Sequence, residues 1–73
     1  MDNEENKIQL ASQRFVEVSK FRGKTYISIR EFYEDAEGNL KPGKKGISLT
    51  TDQWKKLCEN VHKVDRMIDR LDI

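Results

Sequence analysis

The stretch from Thr50 to Leu71 constrains this fold more than any other part of the chain. Thr50-Thr51-Asp52-Gln53 has the form of a capping box. A threonine hydroxyl accepts from the first free helical amides while Gln53 reaches back, and Asp52 suits the positive helix end. Apolar residues follow at Trp54, Leu57, Cys58, Val61, Val64, Met67, Ile68 and Leu71, the spacing of one helical face. This predicts one long C-terminal helix from Thr51 to Leu71, roughly 30 Å at about 1.5 Å per residue. At about 100° per residue, the first four apolar side chains centre roughly 80° from the last four, more than a straight coiled seam drifts. The two halves then face different surfaces. Trp54, Leu57, Cys58 and Val61 are expected on the chain's own sheet, and Val64, Met67, Ile68 and Leu71 against a second copy, with a bend between them. Packing of the whole stripe into one core is the alternative that the spacing leaves open.

Upstream, the pattern changes from a helical period to alternation. Met1 to Lys7 is polar, without periodic or turn signals, and is expected to be a loose tail, leaving residues 8–73 as a single domain. Ile8 to Lys20 alternates apolar and polar residues and predicts a strand. Phe21-Arg22-Gly23-Lys24 supplies a glycine for a tight connection to TYISIREFYE, a β-branched and aromatic run, so the pair reads as a hairpin. Glu37-Gly38-Asn39 and Lys41-Pro42-Gly43 read as two turns with a short strand at most between them, and Lys44 to Thr50 as a last brief strand. Three or four antiparallel strands result. Strict alternation in the second run puts Glu31 on the same face as Ile27 and Ile29. A slip of one residue near Glu31 would instead turn Ile27, Ile29 and Phe32 inward and Arg30 and Tyr33 together outward, as a β-bulge does. The alternative is a strand end where Glu31 reaches solvent.

With 73 residues, the chain is long enough for one thin core, and its single cysteine forms no internal disulfide, so pairing of two copies is the expected support. The absence of a signal sequence or a long apolar run leads to the expectation of a soluble, intracellular protein with no membrane partner. The formal net charge of +1 conceals a division along the chain. Lys7 against Asp2, Glu4 and Glu5 gives −2 over residues 1–11. Residues 12–46 carry eight basic side chains against five acidic, an excess of +3 in the sheet segment, and residues 47–73 balance. A basic sheet face suits phosphate, although charge runs also serve as plain solvated surface.

Single strands are held by a positive groove and by flat side chains on which unstacked bases lie. Arg14, Arg22, Lys24, Arg30, Lys41, Lys44 and Lys45 are the candidate phosphate contacts, and Phe21 and Tyr33 sit at strand ends where a ring face stays open. The guanidinium of Arg30 suits stacking as well as phosphate. Packing in the core or at the rim of a small sheet is the plainer reading of Phe21 and Tyr33. Gly43 and Gly46 flank Lys44-Lys45 and let backbone approach a phosphate, but the spacing matches no phosphate loop. Cys58 and His62 lie four apart, and with no other Cys or His in the chain they complete neither a metal site nor a nucleophile–base pair. No catalytic constellation, metal or cofactor is expected.

The segment FRGKTYISIREFYEDAEGNLKPGKKGISLTTDQW, Phe21 to Trp54, resembles the positive cofactor four family of transcriptional coactivators, and the likeness runs from about Ile8 to Leu71. Its marks are the FRGK turn, IREFY, the KPGKKGISL run and the threonine-capped helix opening on DQW. The resemblance implies an α+β subunit, ββββα, with a curved four-stranded antiparallel sheet that dimerises through its long helix and binds single-stranded or melted DNA. Carried over by position, the family's DNA contacts fall on Arg14, Phe21, Arg30, Tyr33, Lys41, Lys45 and Gly46. Tyr33 stands where relatives commonly have tryptophan, and Ser12 where a lysine is often found, which bears on affinity more than on function. The resemblance further implies a nuclear coactivator working with general transcription factors and the RNA polymerase II machinery, or a cytoplasmic protein if the chain is prokaryotic. A protein-interaction adaptor and an RNA-directed role are the alternatives.

Overall fold

The computed structural model describes residues 6–72. Four strands, β1 (Lys7–Ala11), β2 (Arg14–Phe21), β3 (Lys24–Glu34) and β4 (Leu40–Thr50), form one antiparallel sheet in the order β1-β2-β3-β4. Two helices follow, α1 (Thr51–Glu59) and α2 (Val61–Leu71). Of the expected tail, residues 1–5 lie outside the described residues, while Lys7 opens β1 opposite Glu17.

The strand expected over Ile8 to Lys20 is two strands. Ala11 pairs with Arg14 across a two-residue turn at Ser12-Gln13, which has neither glycine nor proline to announce it, and the register shifts between Gln9 and Ala11 just before it. Arg22 and Gly23 both adopt positive φ, 55° and 81°, between the paired Phe21 and Lys24. That is the primed two-residue turn whose twist matches a hairpin. The next connection is built on Asp35, whose Oδ1 accepts from the amides of Glu37 and Asn39, each at 2.9 Å. Gly38 supplies the positive φ there.

The second expected turn, Lys41-Pro42-Gly43, is instead part of β4. This strand lies at the sheet edge, where a proline leaves no ladder donor missing. The expected bulge in β3 at Glu31 is also corrected. β3 pairs with β2 without interruption, and the irregularity belongs to β4, where residues 43–45 stand opposite Glu31 alone. Alternation along β3 is therefore unbroken, and its two most buried side chains lie on opposite faces. Ile27 (6% exposed) sits between Val18 and Leu49 on the face that α1 covers, which we call the helix face. Phe32 (4% exposed) lies on the other, open face, where its ring meets Phe15 edge-on at 5.3 Å.

The capping box forms as the sequence predicts. Thr50 Oγ1 accepts from the Gln53 amide at 3.2 Å, and Gln53 Oε1 accepts from the Thr50 amide at 3.0 Å. The one long helix does not form. Asn60 leaves helical geometry at φ −116° and ψ 11°, and its side chain donates to the Lys56 carbonyl at 2.7 Å, separating α1 from α2. α1 lies against β3 and β4 with Trp54 half-buried, whereas among the described elements α2 packs only against α1. Leu57, Cys58 and Val61, expected on the sheet, are exposed in the single chain.

Candidate nucleic-acid interface

On the open face, β2, β3 and β4 contribute Ser19, Phe21, Tyr26, Ser28 and Ser48 to one shallow groove of about 230 Å³. Small-molecule pockets run to about 300–1,000 Å³, so this groove is too small to enclose a compact ligand. These residues share a face because register fixes them: Ser19 opposes Tyr26, and Ser28 opposes Ser48.

Arg30 lies beside this groove, half-buried, with its guanidinium held at both terminal nitrogens. Nη1 donates to the Gly43 carbonyl at 3.1 Å, and Nη2 donates to Ser48 Oγ at 3.3 Å. The hydroxyls of Ser48 and Ser28 are 3.2 Å apart. Gly46 pairs directly with Arg30, and a Cβ at that position would stand 2.0 Å from Arg30 Cβ and 2.7 Å from the Ile29 carbonyl oxygen. Only glycine lets β4 approach β3 this closely.

Phe21, 61% exposed, stands at the hairpin end of the groove. The Arg22 guanidinium lies 5.1 Å from its ring centroid, covering one side and leaving the other for stacking. Lys24 pairs with Phe21 at the same end, and Lys44 and Lys45 project from the β4 bulge, all exposed. Among the described residues, none of Arg22, Lys24, Arg30, Lys44 and Lys45 joins an ion pair.

The other candidates are placed differently. Arg14 is held by Glu31 at 2.6 Å, and Lys41 by Asp35 at 3.6 Å. Arg14, Tyr33 and Lys41 alternate onto the face opposite Arg30, so the expectation that Arg30 and Tyr33 share the open face is not met. The two nonetheless converge on one residue, because the Tyr33 ring lies beside Gly43, whose carbonyl Arg30 engages. Bonds from the Asn39 amide, then from Glu37 and the Lys41 side chain, hold the Asp35 carboxyl below its ordinary range.

Ser19, Tyr26, Ser28 and Ser48 were not legible as groove residues from composition, since a hydroxyl adds no charge. Along β3 the spacing of two residues that puts Tyr26 and Ser28 on the face of Arg30 was the available signal, while Ser19 and Ser48 join them through register. Lys7 was hidden in the expected tail, yet its ammonium lies 4.6 Å from the Phe32 ring centroid.

An antiparallel meander, backed on one face by a helix and open on the other with cationic, hydroxyl and aromatic side chains, defines a class: an α+β sheet module with an extended polar cradle. Within that class, the chain belongs to the Transcriptional Coactivator p15 (PC4) family, whose model matches residues 8–60. It is 50% identical over 60 residues to an RNA polymerase II transcriptional coactivator of Drosophila melanogaster, covering 82% of this chain and 54% of that one. It is 40% identical over 62 residues to the coactivator KIWI of Arabidopsis thaliana, covering 85% and 57%. The chain thus spans about half the length of these curated relatives. Its fold is similar to the solved structure of a MoSub1–DNA complex, with a TM-score of 0.85 and 33% identity over 96% of this chain and 91% of that one. A MoSub1–single-stranded DNA complex is similar at a TM-score of 0.84 and 32% identity, over 96% and 86%.

Proposed function

We propose that this chain is the DNA-binding and pairing domain of a non-enzymatic transcriptional coactivator, and that it takes single-stranded or melted DNA along its open face with little sequence preference. One observation carries the reading: Arg30 is fixed flat beside a hydroxyl-lined groove with no carboxylate among the described residues to neutralise it, and an exposed Phe21 ring stands at the groove's end. Phosphates meet Arg22, Lys24, Arg30, Lys44 and Lys45, Gly46 admits the backbone beside Arg30, and a base stacks on Phe21. A strand that crosses the β4 edge at the bulge reaches Tyr33 and Lys41 on the far side, which gives those two a role despite their face. Arg14 is the weakest member of the set, since Glu31 already holds it. The family and the complexes formed by its structural neighbours support this reading.

The same reading assigns the domain to a homodimer joined through Val64, Met67, Ile68 and Leu71 on α2, and to the nucleus, in company with RNA polymerase II. Fluorescence anisotropy with a single strand of about 20 nucleotides, its duplex and an RNA of the same sequence, at two salt concentrations, is the test. Preference for the DNA single strand, with log affinity falling by about 0.7 per contacted phosphate for each unit of log salt, is the expected result. Equal affinity for RNA would widen the ligand class, and salt-indifferent or absent binding would leave a protein adaptor.

A further inference from the structure

We propose that Ser48 is a positioning residue for Arg30, fixing the guanidinium plane before DNA arrives. This inference rests on the reading of the open face as a DNA surface. An arginine side chain with one polar neighbour samples many rotamers, and ordering it on binding costs affinity. Arg30 differs, because its two terminal nitrogens are tied to separate points of β4, the Gly43 carbonyl at 3.1 Å and the Ser48 hydroxyl at 3.3 Å. Two anchors define the plane of a rigid fork where one would leave it free to rotate. The other N–H groups of the fork and its flat surface remain for phosphate or base.

The anchors have different origins. Gly43 belongs to the β4 bulge, whose extra residues bring a main-chain carbonyl within reach of the fork. Ser48 lies beyond the bulge, opposite Ser28, and its hydroxyl has two neighbours. It accepts from Arg30 Nη2 and shares a 3.2 Å hydrogen bond with Ser28 Oγ, in which either hydroxyl can donate. Ser48 thereby links the Arg30 guanidinium to Ser28 across β3 and β4. Gly46, between the two anchors, keeps β4 close enough for both bonds to form.

The test is a double-mutant cycle on single-strand affinity, read by anisotropy at two salt concentrations. Ser48→Ala is expected to weaken binding about three- to tenfold, with the salt slope unchanged because no charge is lost. Ser48→Thr, which retains a hydroxyl on a strand that favours β-branching, restores it. In an Arg30→Ala background, Ser48→Ala costs nothing further. A loss of the same size in that background would mean that Ser48 touches DNA by itself, and unchanged binding of the single variant would mean that the anchor is idle; either overturns the proposal. The free protein gives a second readout by nitrogen NMR of the guanidinium. Separate Nη signals, from hindered rotation about Nε–Cζ, are expected in the parent and in Ser48→Thr, and merged signals in Ser48→Ala. Merged signals in the parent would overturn the proposal without reference to DNA. If the parent protein binds no single strand, the DNA reading falls, and the NMR comparison alone decides whether Ser48 orients Arg30.

Discussion

Gly46 stands where no side chain fits. An added methyl would lie 2.0 Å from Arg30 Cβ and 2.6 Å from its Cα, and neither is a flexible side-chain end that can swing aside. Gly46→Ala should therefore push β4 off β3, at a cost of about 3 kcal/mol, which for a domain of this size lowers the melting temperature by about 10 °C or more in a circular-dichroism scan. Gly43→Ala should cost less, since its added methyl meets the Glu31 carbonyl oxygen at 3.0 Å, a distance that a small backbone shift relieves. Ring and charge act differently at the candidate contacts. Tyr33→Ala removes a stacking surface and no charge, so single-strand affinity should fall by about 1–3 kcal/mol with the salt slope nearly unchanged. Lys45→Ala removes a charge, so the slope itself should drop by about 0.7. Unchanged binding in both variants would remove the β4 edge from the interface. Charge and aromaticity made Phe21, Arg30 and Lys45 candidates from sequence. The serines that line the groove were not, because only register brings Ser28 and Ser48 together.

At the scale of elements, the sequence conveyed most where a side chain closes a local bond. The Thr50–Gln53 capping box and the Arg22-Gly23 hairpin turn are set by neighbours in the chain, and both formed as expected. It conveyed less where tertiary pairing overrides local preference. Pro42-Gly43 carries a turn signature, yet the edge position of β4 absorbs the proline, and pairing of Phe32 with Pro42 carries the strand through. Asn60 interrupts an otherwise continuous helical pattern through its own side chain, which the apolar period alone did not reveal. The β3–β4 turn provides a pH test. Asp35 lies below its reference value of 3.8, chiefly through the Asn39 amide, so its contribution to the turn is fully present above that value. It is lost as pH falls through the lower, folded value, in the region below about 4. Proton titration should therefore release the Glu37 and Asn39 amides from Oδ1, seen as a shift of their NMR resonances below pH 4. Asp35→Asn should abolish that titration, whereas an unaltered transition would assign it to another carboxyl.

As a whole molecule, the single chain is unfinished. Its Cα radius of gyration is 14.7 Å, against about 11 Å for a compact domain of this length, and its extents are 44 × 31 × 21 Å. Among the described residues only Ile27 and Phe32 are buried hydrophobics, while Ile47 on the helix face and Val64, Met67 and Ile68 on α2 stay about half exposed. Leu71 is 86% exposed. Exposed apolar side chains scattered singly are ordinary, but a stripe along a helix that, among the described elements, packs only against α1 calls for a covering surface. A second copy is the covering surface that the family reading assigns, and the break at Asn60 lets α2 turn its stripe away from the sheet that α1 covers. On that reading pairing would supply a core that one chain of this size builds only thinly, and unfolding should be concentration-dependent. Met67→Lys sets a charge in the middle of that stripe and should weaken the dimer about a hundredfold. In sedimentation equilibrium the parent should fit a dimer and the variant a monomer, and the variant's melting temperature should be lower and less dependent on concentration than the parent's. A variant that remains fully dimeric would move the pairing surface off α2 and onto the exposed helix-face residues of the sheet, Ile8, Val18 and Ile47.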